Sequence, residues 1–538
     1  MNIPFEIQRV GAVPMHLQLR DQIIAAIEEG RLTPGQRMPS TRVLSNELKV
    51  SRVVVVQCYE ALTSMGFIVT ATGSGSYVRR VPVKTRIETA PLMQPVEQSE
   101  QYVGSSHHSP STQFAQALRQ CTYIDTGAVD MSELNYGAAS AEHLPSKIWR
   151  KIMLNLLLKN GDSIEFDSHP LGSGKLRESI CGYIRRARGV NCSPSQIALF
   201  SSSQMSLSIL FRLLLDEGDY VAVENPGFGH ARKLVACCGA ELLPIDIDDE
   251  GISVDQLRQS DVVPKIVYVT PSHHDPSGVV MSVKRRHELL EWAVEKNVLI
   301  IEDDYDSEYR YHGQRLPSIQ SLDTHGRVIY LANFWKVLFP YVTMGYLILP
   351  PHLVGAVAQA KSCIDRAMPS LEQQVLSKFI SSGALERHIH KAKQAYIVLR
   401  QELLFSLTRN FAKKVQLAKE SSGMHILFSI DSEVTEAEII KLAHNAGISL
   451  VTTRNFYFRK AKEREFLISF ARLKKGEIAP RMFMFAASLK QAEQALLGDQ
   501  LAKKVQQAQS AIFSKICTPA ISATATMPLL HQSSTVCI

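Results

Sequence analysis

Val298-Leu299-Ile300-Ile301-Glu302-Asp303-Asp304-Tyr305-Asp306 decides how this chain reads. Its first four residues form an apolar run without polar alternation, which predicts a strand covered on both faces. The text then breaks at once into carboxylates and a phenol. Working outward, Ile266–Thr270 and Val328–Leu331 are further short apolar runs, and Ile197–Phe200 and Tyr220–Val223 precede them, with amphipathic helical stretches between. Strands alternating with helices imply an α/β unit with a mostly parallel sheet. Polar groups cluster just beyond each strand, where open α/β sheets hold ligands. Ser201-Ser202-Ser203-Gln204 opens a helix after the first strand, an anion cradle by its position. Asn225-Pro226-Gly227-Phe228, the turn Thr270–Gly278, the acidic cluster itself and Phe334-Trp335-Lys336 follow the others.

The alternation runs from about Ser132 to Leu497, so it leaves much of the 538-residue chain over. That length exceeds one compact core and suggests three or four units. With 45% hydrophobic and 21% charged residues, the composition excludes a disordered chain or a coiled-coil rod. No apolar run approaches the ~20 residues of a membrane helix. Met1–Glu6 lacks the pattern of a secretory signal. Nine cysteines stand scattered without a CxxC pair, which fits reduced thiols in a cytoplasm and neither a disulfide framework nor a metal site. The net charge is +7, and Arg31–Arg80 holds seven basic residues against two acidic ones, an excess of five. Most of the charge thus sits on one small module. The division expected is 1–80 for that module, 81–130 for a polar linker with a short helix near 114–121, 131–500 for the α/β unit with a smaller C-terminal α+β lobe, and 501–538 for a helical extension and frayed tail.

Within the basic module His16–Glu29 reads as a helix stopped by Gly30. Ser40 and Ser51 are placed to cap helices Thr41–Leu48 and Arg52–Met65, and Phe67–Val78 reads as a hairpin turning at Gly73-Ser74-Gly75. Three helices and a two-stranded wing are the winged helix-turn-helix order. Arg37-Met38-Pro39-Ser40-Thr41-Arg42, Leu48–Arg52 and Gly73–Val78 resemble the GntR-type DNA-binding domain. The resemblance implies double-stranded DNA as partner, with Arg37, Ser40, Thr41, Arg42, Ser51 and Arg52 at backbone or base edges and Gly73, Ser74 and Gly75 at the minor groove. One departure is the run Val53–Val56 after Arg52, where the family usually has Asn or Thr. Valines touch thymine methyls but cannot hydrogen-bond a base edge.

The α/β unit resembles the fold type I aminotransferases, and with the DNA-binding module the chain resembles the MocR subfamily of GntR regulators. Leu134–Gly137, Leu144–Trp149, Arg185–Val190, Thr270–Gly278, Glu302–Tyr311 and Gly423-Met424-His425 carry the likeness. It implies pyridoxal 5'-phosphate as cofactor, with Lys336 as the Schiff-base lysine, Asp303 on the ring nitrogen, Tyr305 on the ring hydroxyl, Phe228 stacked on the ring, and Ser203 and Gln204 on the phosphate. It also implies a homodimer. The family's Ser before the lysine and Arg seven residues after it are here Trp335 and Thr343. The phenol expected from a partner subunit falls at Phe166-Asp167, and Leu467 stands where a carboxylate-binding Arg is usual, with Arg464 and Arg472 near it. Each missing charge-assisted bond costs on the order of 1.5–3 kcal/mol, and Arg232, one turn past Phe228, is the substitute the sequence offers. Three readings remain: a regulator sensing pyridoxal phosphate or an amino compound, a regulator whose effector domain has lost the cofactor, and an active aminotransferase. Fusion to a DNA-binding module argues against the last.

Overall fold

The computed structural model describes residues 5–9, 13–71, 74–79, 140–159, 169–311, 313, 316–418, 422–459 and 461–516. Gly73, the stretch 81–130, Leu134–Gly137, Phe166-Asp167 and the tail beyond 516 lie outside them. The chain divides into two compact units, residues 1–108 and 109–538.

In the first unit α1 (Met15–Glu28), α2 (Thr41–Glu47) and α3 (Arg52–Ser64) precede a hairpin of β1 (Ile68–Ala71) and β2 (Gly75–Val78). Leu19, Ile23, Leu44, Val55, Cys58, Tyr59, Leu62, Ile68 and Val78 form its core. That set is the apolar face of each helix plus the inward positions of the hairpin. Ser40 caps α2 through its hydroxyl, which accepts from the Val43 amide at 3.3 Å. Ser51 occupies the matching place on α3 but makes no side-chain cap. The cap predicted there is therefore corrected: only the Ser51 carbonyl is used, by the Val54 amide.

The second unit contains an eight-stranded sheet of β3 (Ile197–Phe200), β4 (Tyr220–Asn225), β5 (Glu241–Asp248), β6 (Gly251–Ile252), β7 (Ile266–Val269), β8 (Leu299–Asp304), β9 (Val328–Asn333) and β10 (Gly345–Ile348). Their order is β3-β10-β9-β8-β7-β4-β5-β6. The pairs among β9, β8, β7, β4 and β5 are parallel. β10 runs against both β3 and β9, so β3 points with the parallel set. Six strands (β3, β4, β5, β7, β8, β9) thus end on one edge.

Helices α4 (Ser146–Lys159), α5 (Gly174–Arg188), α6 (Ser203–Leu214), α7 (Gly229–Ala236), α8 (Val254–Arg258), α9 (Val283–Glu295), α10 (Ile319–Leu322), α11 (Trp335–Leu338), α12 (Val354–Ile364) and α13 (Ser370–Ser381) accompany the sheet. Residue parity sorts the two faces. Val221, Val223, Tyr268 and Ile301 pack with α6, α7 and α12, whereas Ala222, Val267, Val269 and Ile300 pack with α8, α9 and α10. Both faces are dry, as unalternating strands require.

The long helix α14 (Ala384–Phe411) leads to a four-stranded antiparallel sheet ordered β11-β12-β14-β13. Its strands are β11 (Val415–Leu417), β12 (His425–Ile430), β13 (Leu450–Thr452) and β14 (Glu465–Ser469). Ile426, Phe428, Phe466 and Ile468 enter the main core with α14, α15 (Glu436–Asn445) and α16 (Ile478–Ile516). His425, Leu427 and Leu467 face the other way. No helix of the described residues is long and apolar enough to cross a membrane.

Candidate functional site

Lys336 sits in the short α11 that follows β9, and its side chain is buried. Asn333, the last residue of β9, fixes this turn from both sides. Its side-chain Oδ1 accepts from the Trp335 amide at 3.0 Å, and its side-chain Nδ2 donates to Ser203 Oγ at 3.0 Å. The lysine turn is thereby tied to the start of α6, which Ser202 caps by accepting from the Met205 amide. Burial drives the Lys336 ammonium below its usual range, while Asp306, Asp275 and Asp303 oppose that shift by their charge. An amine held in this way keeps an uncharged fraction, the reactive form toward an aldehyde.

Asp303 ends β8 one residue early and is buried. Burial, reinforced by Asp304, Asp275 and Asp306, pushes its carboxyl up to about 7 against the lowering effect of a hydrogen bond from Tyr268. The Tyr268 hydroxyl donates to Oδ2. Oδ1 has no hydrogen-bond partner among the described residues. Lys336 Nζ lies 5.5 Å from the Tyr305 ring centroid. The Tyr305 hydroxyl lies 3.1 Å from His273 Nδ1, which also meets Asp306 Oδ2 at 2.8 Å. From the smaller lobe His425 brings its ring 5.1 Å from that of His273. Burial, then the charges of His273 and Lys336, hold His425 well below the usual range, so it is neutral. Gly423 makes this approach possible: its φ is +81°, and a Cβ there would collide with His273.

A second layer supports these groups. Glu224, at the end of β4, accepts from the Thr270 amide at 3.0 Å and hydroxyl at 2.7 Å, and burial pushes it up to about 8. His274 faces it at 3.6 Å and burial lowers it to about 3, so this contact is not an ion pair at neutral pH. Arg188 closes the far end of β8, with Nε 2.7 Å from Asp304 Oδ2 and a further bond to Ser272.

The positions expected to serve a phosphate are arranged differently. Ser203 lies at the α6 N-terminus and Gln204 beside it is exposed. Thr343 donates to the Ser201 carbonyl at 2.9 Å, so it braces the same turn. Trp335 stacks on Phe339 at 3.8 Å. Arg232, offered as a replacement cation, points instead to the smaller lobe: it donates to the Asn455 carbonyl and lies 4.4 Å from the Phe458 ring centroid. Phe228 is half-buried at the N-terminus of α7, against the core of the sheet.

In the basic unit, Arg37, Arg42, Ser51 and Arg52 are all exposed. Arg52 Nε reaches Thr41 Oγ1 at 3.4 Å, bringing the N-termini of α2 and α3 together. The stretch before α2 pairs with the wing, as the Met38 amide donates to the Ser76 carbonyl at 2.8 Å and Arg37 bridges Tyr77. Gly75, with φ +107°, lies so close that a Cβ would stand 3.3 Å from Arg37 Nε. Ser74 Oγ meets the Tyr77 hydroxyl at 2.7 Å. Val53 is well exposed beside Arg52. The N-termini of α2 and α3 thus meet at Thr41 and Arg52, and Arg37 lies against the wing.

Comparison with known proteins matches both halves. Residues 129–480 match the family Aminotransferase class I and II, and residues 16–78 match the bacterial regulatory proteins of the gntR family. The HTH-type transcriptional regulator YdeL of Bacillus subtilis is 30% identical over 487 residues, covering 89% of this chain and 97% of its own. The probable rhizopine catabolism regulatory protein MocR of Rhizobium meliloti is 29% identical over 469 residues, covering 86% and 92%. The chain belongs to the MocR-type GntR regulators. Among solved structures, a Pyrococcus horikoshii kynurenine aminotransferase in complex with PMP is similar at a TM-score of 0.61 and 25% identity, covering 72% of this chain and 97% of its own.

In this MocR-type regulator the structure gathers Lys336, Asp303 and Tyr305 at one place and Ser203 at the other end of the Asn333 link. Reasoning from sequence gave no role to His273, Asp306, Asp275, Tyr268, Glu224 or His425. Tyr268 looked like part of a strand, and Glu224 fell between the predicted strand Tyr220–Val223 and the turn that begins at Asn225. His425 comes from a lobe more than a hundred residues downstream in the chain, so no local pattern could pair it with His273.

Proposed function

We propose that this chain is a dimeric, ligand-responsive transcription regulator. Its winged helix would bind double-stranded DNA, and its aminotransferase-like domain would hold pyridoxal 5'-phosphate and take an amino compound as effector. The observation that carries the cofactor reading is a buried lysine amine beside three buried carboxylates, two of which (Asp303 and Asp306) keep an oxygen without a hydrogen-bond partner among the described residues. These residues fit pyridoxal phosphate at its aldehyde and ring ends. When bound, the cofactor supplies an aldehyde and an electron-withdrawing ring. Lys336 would hold the aldehyde carbon, Asp303 would present Oδ1 to the ring nitrogen, and Tyr305 would donate to the ring hydroxyl with His273 and Asp306 behind it. Ser203 and the first amides of α6 would hold the phosphate, with Gln204 beside them and Phe228 against the ring. The ligand must favour one arrangement of the two units over another to affect DNA binding.

On the DNA side, Arg42 and Arg52 would neutralise phosphates, Ser51 would offer its uncommitted hydroxyl, and Arg37, Ser40, Thr41 and the wing from Gly73 to Gly75 would set register. Such a protein works in the cytoplasm, where operator DNA and free cofactor meet. Steady transamination is disfavoured because Leu467, not an arginine, stands on the sheet face that also carries His425. The purified protein should be yellow, and borohydride should fix the cofactor mass on Lys336. A colourless protein that takes up no pyridoxal phosphate on titration would overturn the cofactor reading and leave a cofactor-free regulator.

A further inference from the structure

A cleft of about 290 Å3 opens where the end of α5, the turn Ser307–Tyr309 and the first half of α14 meet. None of Lys336, Asp303, Tyr305 or Ser203 lines it. Its volume stands at the lower end of the range for small-molecule sites. Arg186 and Arg188 reach it from α5, Glu308 from the turn, and Glu386, His390 and Lys393 from α14. The last three are spaced by four and three residues, so one side of that helix faces the cleft. Ile389 and Ala187 supply hydrocarbon between the polar groups.

The charges here do not balance. Arg186 on α5 meets Glu386 on α14 at 2.7 Å, and Arg188 holds Asp304 at 2.7 Å. Lys393 adds a further cation from α14. Near Arg188 stands another guanidinium, that of Arg310, whose Nε is buried without a hydrogen-bond partner among the described residues. The Tyr183 hydroxyl donates to Glu308 Oε1 at 3.3 Å. Burial, then the charge of Asp304, pushes the Glu308 carboxyl up to about 8, so at neutral pH it offers an O–H and no charge. Four cations (Arg186, Arg188, Arg310, Lys393) therefore stand against two carboxylates (Glu386, Asp304). An anion entering the cleft gains from that excess, and an ammonium is repelled by it.

We propose that this cleft is a second ligand site, separate from the Lys336 pocket, and that it takes a small dicarboxylate. One carboxylate lies with Arg186 and the Glu308 carboxyl, the other with Lys393 and His390, and the carbon chain rests on Ile389. Arg188 joins this site to the first: its guanidinium bonds Asp304 and Ser272, the chain neighbours of Asp303 and His273. The site does not depend on the cofactor reading, because none of its groups is needed to hold the cofactor.

The test uses the full chain and calorimetry at constant ionic strength. Succinate, butanoate and butylamine share one carbon frame, and inorganic phosphate serves as a compact anion. Succinate should bind about ten- to a hundredfold more tightly than butanoate, the worth of a second charge-assisted contact. Butylamine should not bind. Lys393→Met should bring succinate down to the level of butanoate, and Arg186→Met should weaken both. Arg186 is 65% exposed and Lys393 is partly exposed, so neither variant removes a core group. Butanoate or phosphate binding as tightly as succinate overturns the dicarboxylate assignment. A protein that binds no succinate, or that binds it equally well in both variants, overturns the site.

Discussion

Replacing Arg188 by Met tests how β8, the strand that carries Asp303, is held. The Arg188 and Asp304 side chains are 9% and 1% exposed, and Nε lies 2.7 Å from Oδ2. Tyr330 also donates to that oxygen, and Oδ1 has no partner among the described residues. Removing the guanidinium leaves a buried carboxylate with one hydroxyl, and breaking such a pair from one side costs about 3–5 kcal/mol. That is roughly two to three and a half decades in the unfolding constant. The companion Asp304→Asn removes the charge, so the double variant should cost about 2 kcal/mol less than the sum of the singles. The assay is selective, because the three tryptophans of the chain (Trp149, Trp292 and Trp335) all lie in the larger unit. Denaturant unfolding followed by tryptophan fluorescence therefore reports that unit without the DNA-binding one. A single variant within about 1 kcal/mol of wild type, or strictly additive costs, would refute the reasoning.

Three further outcomes are expected. Arg42→Ala/Arg52→Ala should weaken binding to operator DNA and flatten the slope of log affinity against log salt by about 2, measured by anisotropy, since each lost phosphate contact removes nearly one unit; an unchanged slope would refute the assigned surface. Gly423→Ala should cost about 1–3 kcal/mol, because its φ is +81° and the new methyl would collide with His273; the same variant should alter the visible spectrum of cofactor-loaded protein, and wild-type stability with an unaltered spectrum would contradict the packing. Glu224, raised by burial to about 8 in the folded protein, keeps its proton where the unfolded chain releases it. Its stabilising effect is full below the unfolded pKa of about 4.3 and is lost as pH rises through 8, at up to about 1.4 kcal/mol per pH unit. Glu224→Gln should flatten that decline between pH 5 and 8 in denaturation curves; parallel curves would count against the buried proton.

The sheet was legible because its strands are short apolar runs ending in polar turns, and Ile197–Phe200, Ile266–Val269 and Val328–Asn333 fall where those runs predict. The winged helix was legible from the helix stop at Gly30 and the Ser40 cap. What sequence did not disclose is what burial and distance create. Glu224 reads as an ordinary acid in the text, yet its low-dielectric setting makes it a proton carrier near neutrality. The serine at position 51 has the right type and place for a cap, but its hydroxyl is not used by the helix. Arg232 was reached by counting one turn along α7, and the actual choice was made by Phe458 and Asn455, more than two hundred positions away.

Asn333 gives the site a gauge. One planar amide contacts the lysine turn with its oxygen and the α6 terminus with its nitrogen. The distance between the lysine turn and the start of α6 is therefore set by a rigid group of fixed size. β10 closes on the same turn: a Cβ at Gly345 would stand 3.1 Å from the Ser203 amide nitrogen. Any displacement of the lysine turn is thereby felt at the start of α6 through one amide, with no intervening loop.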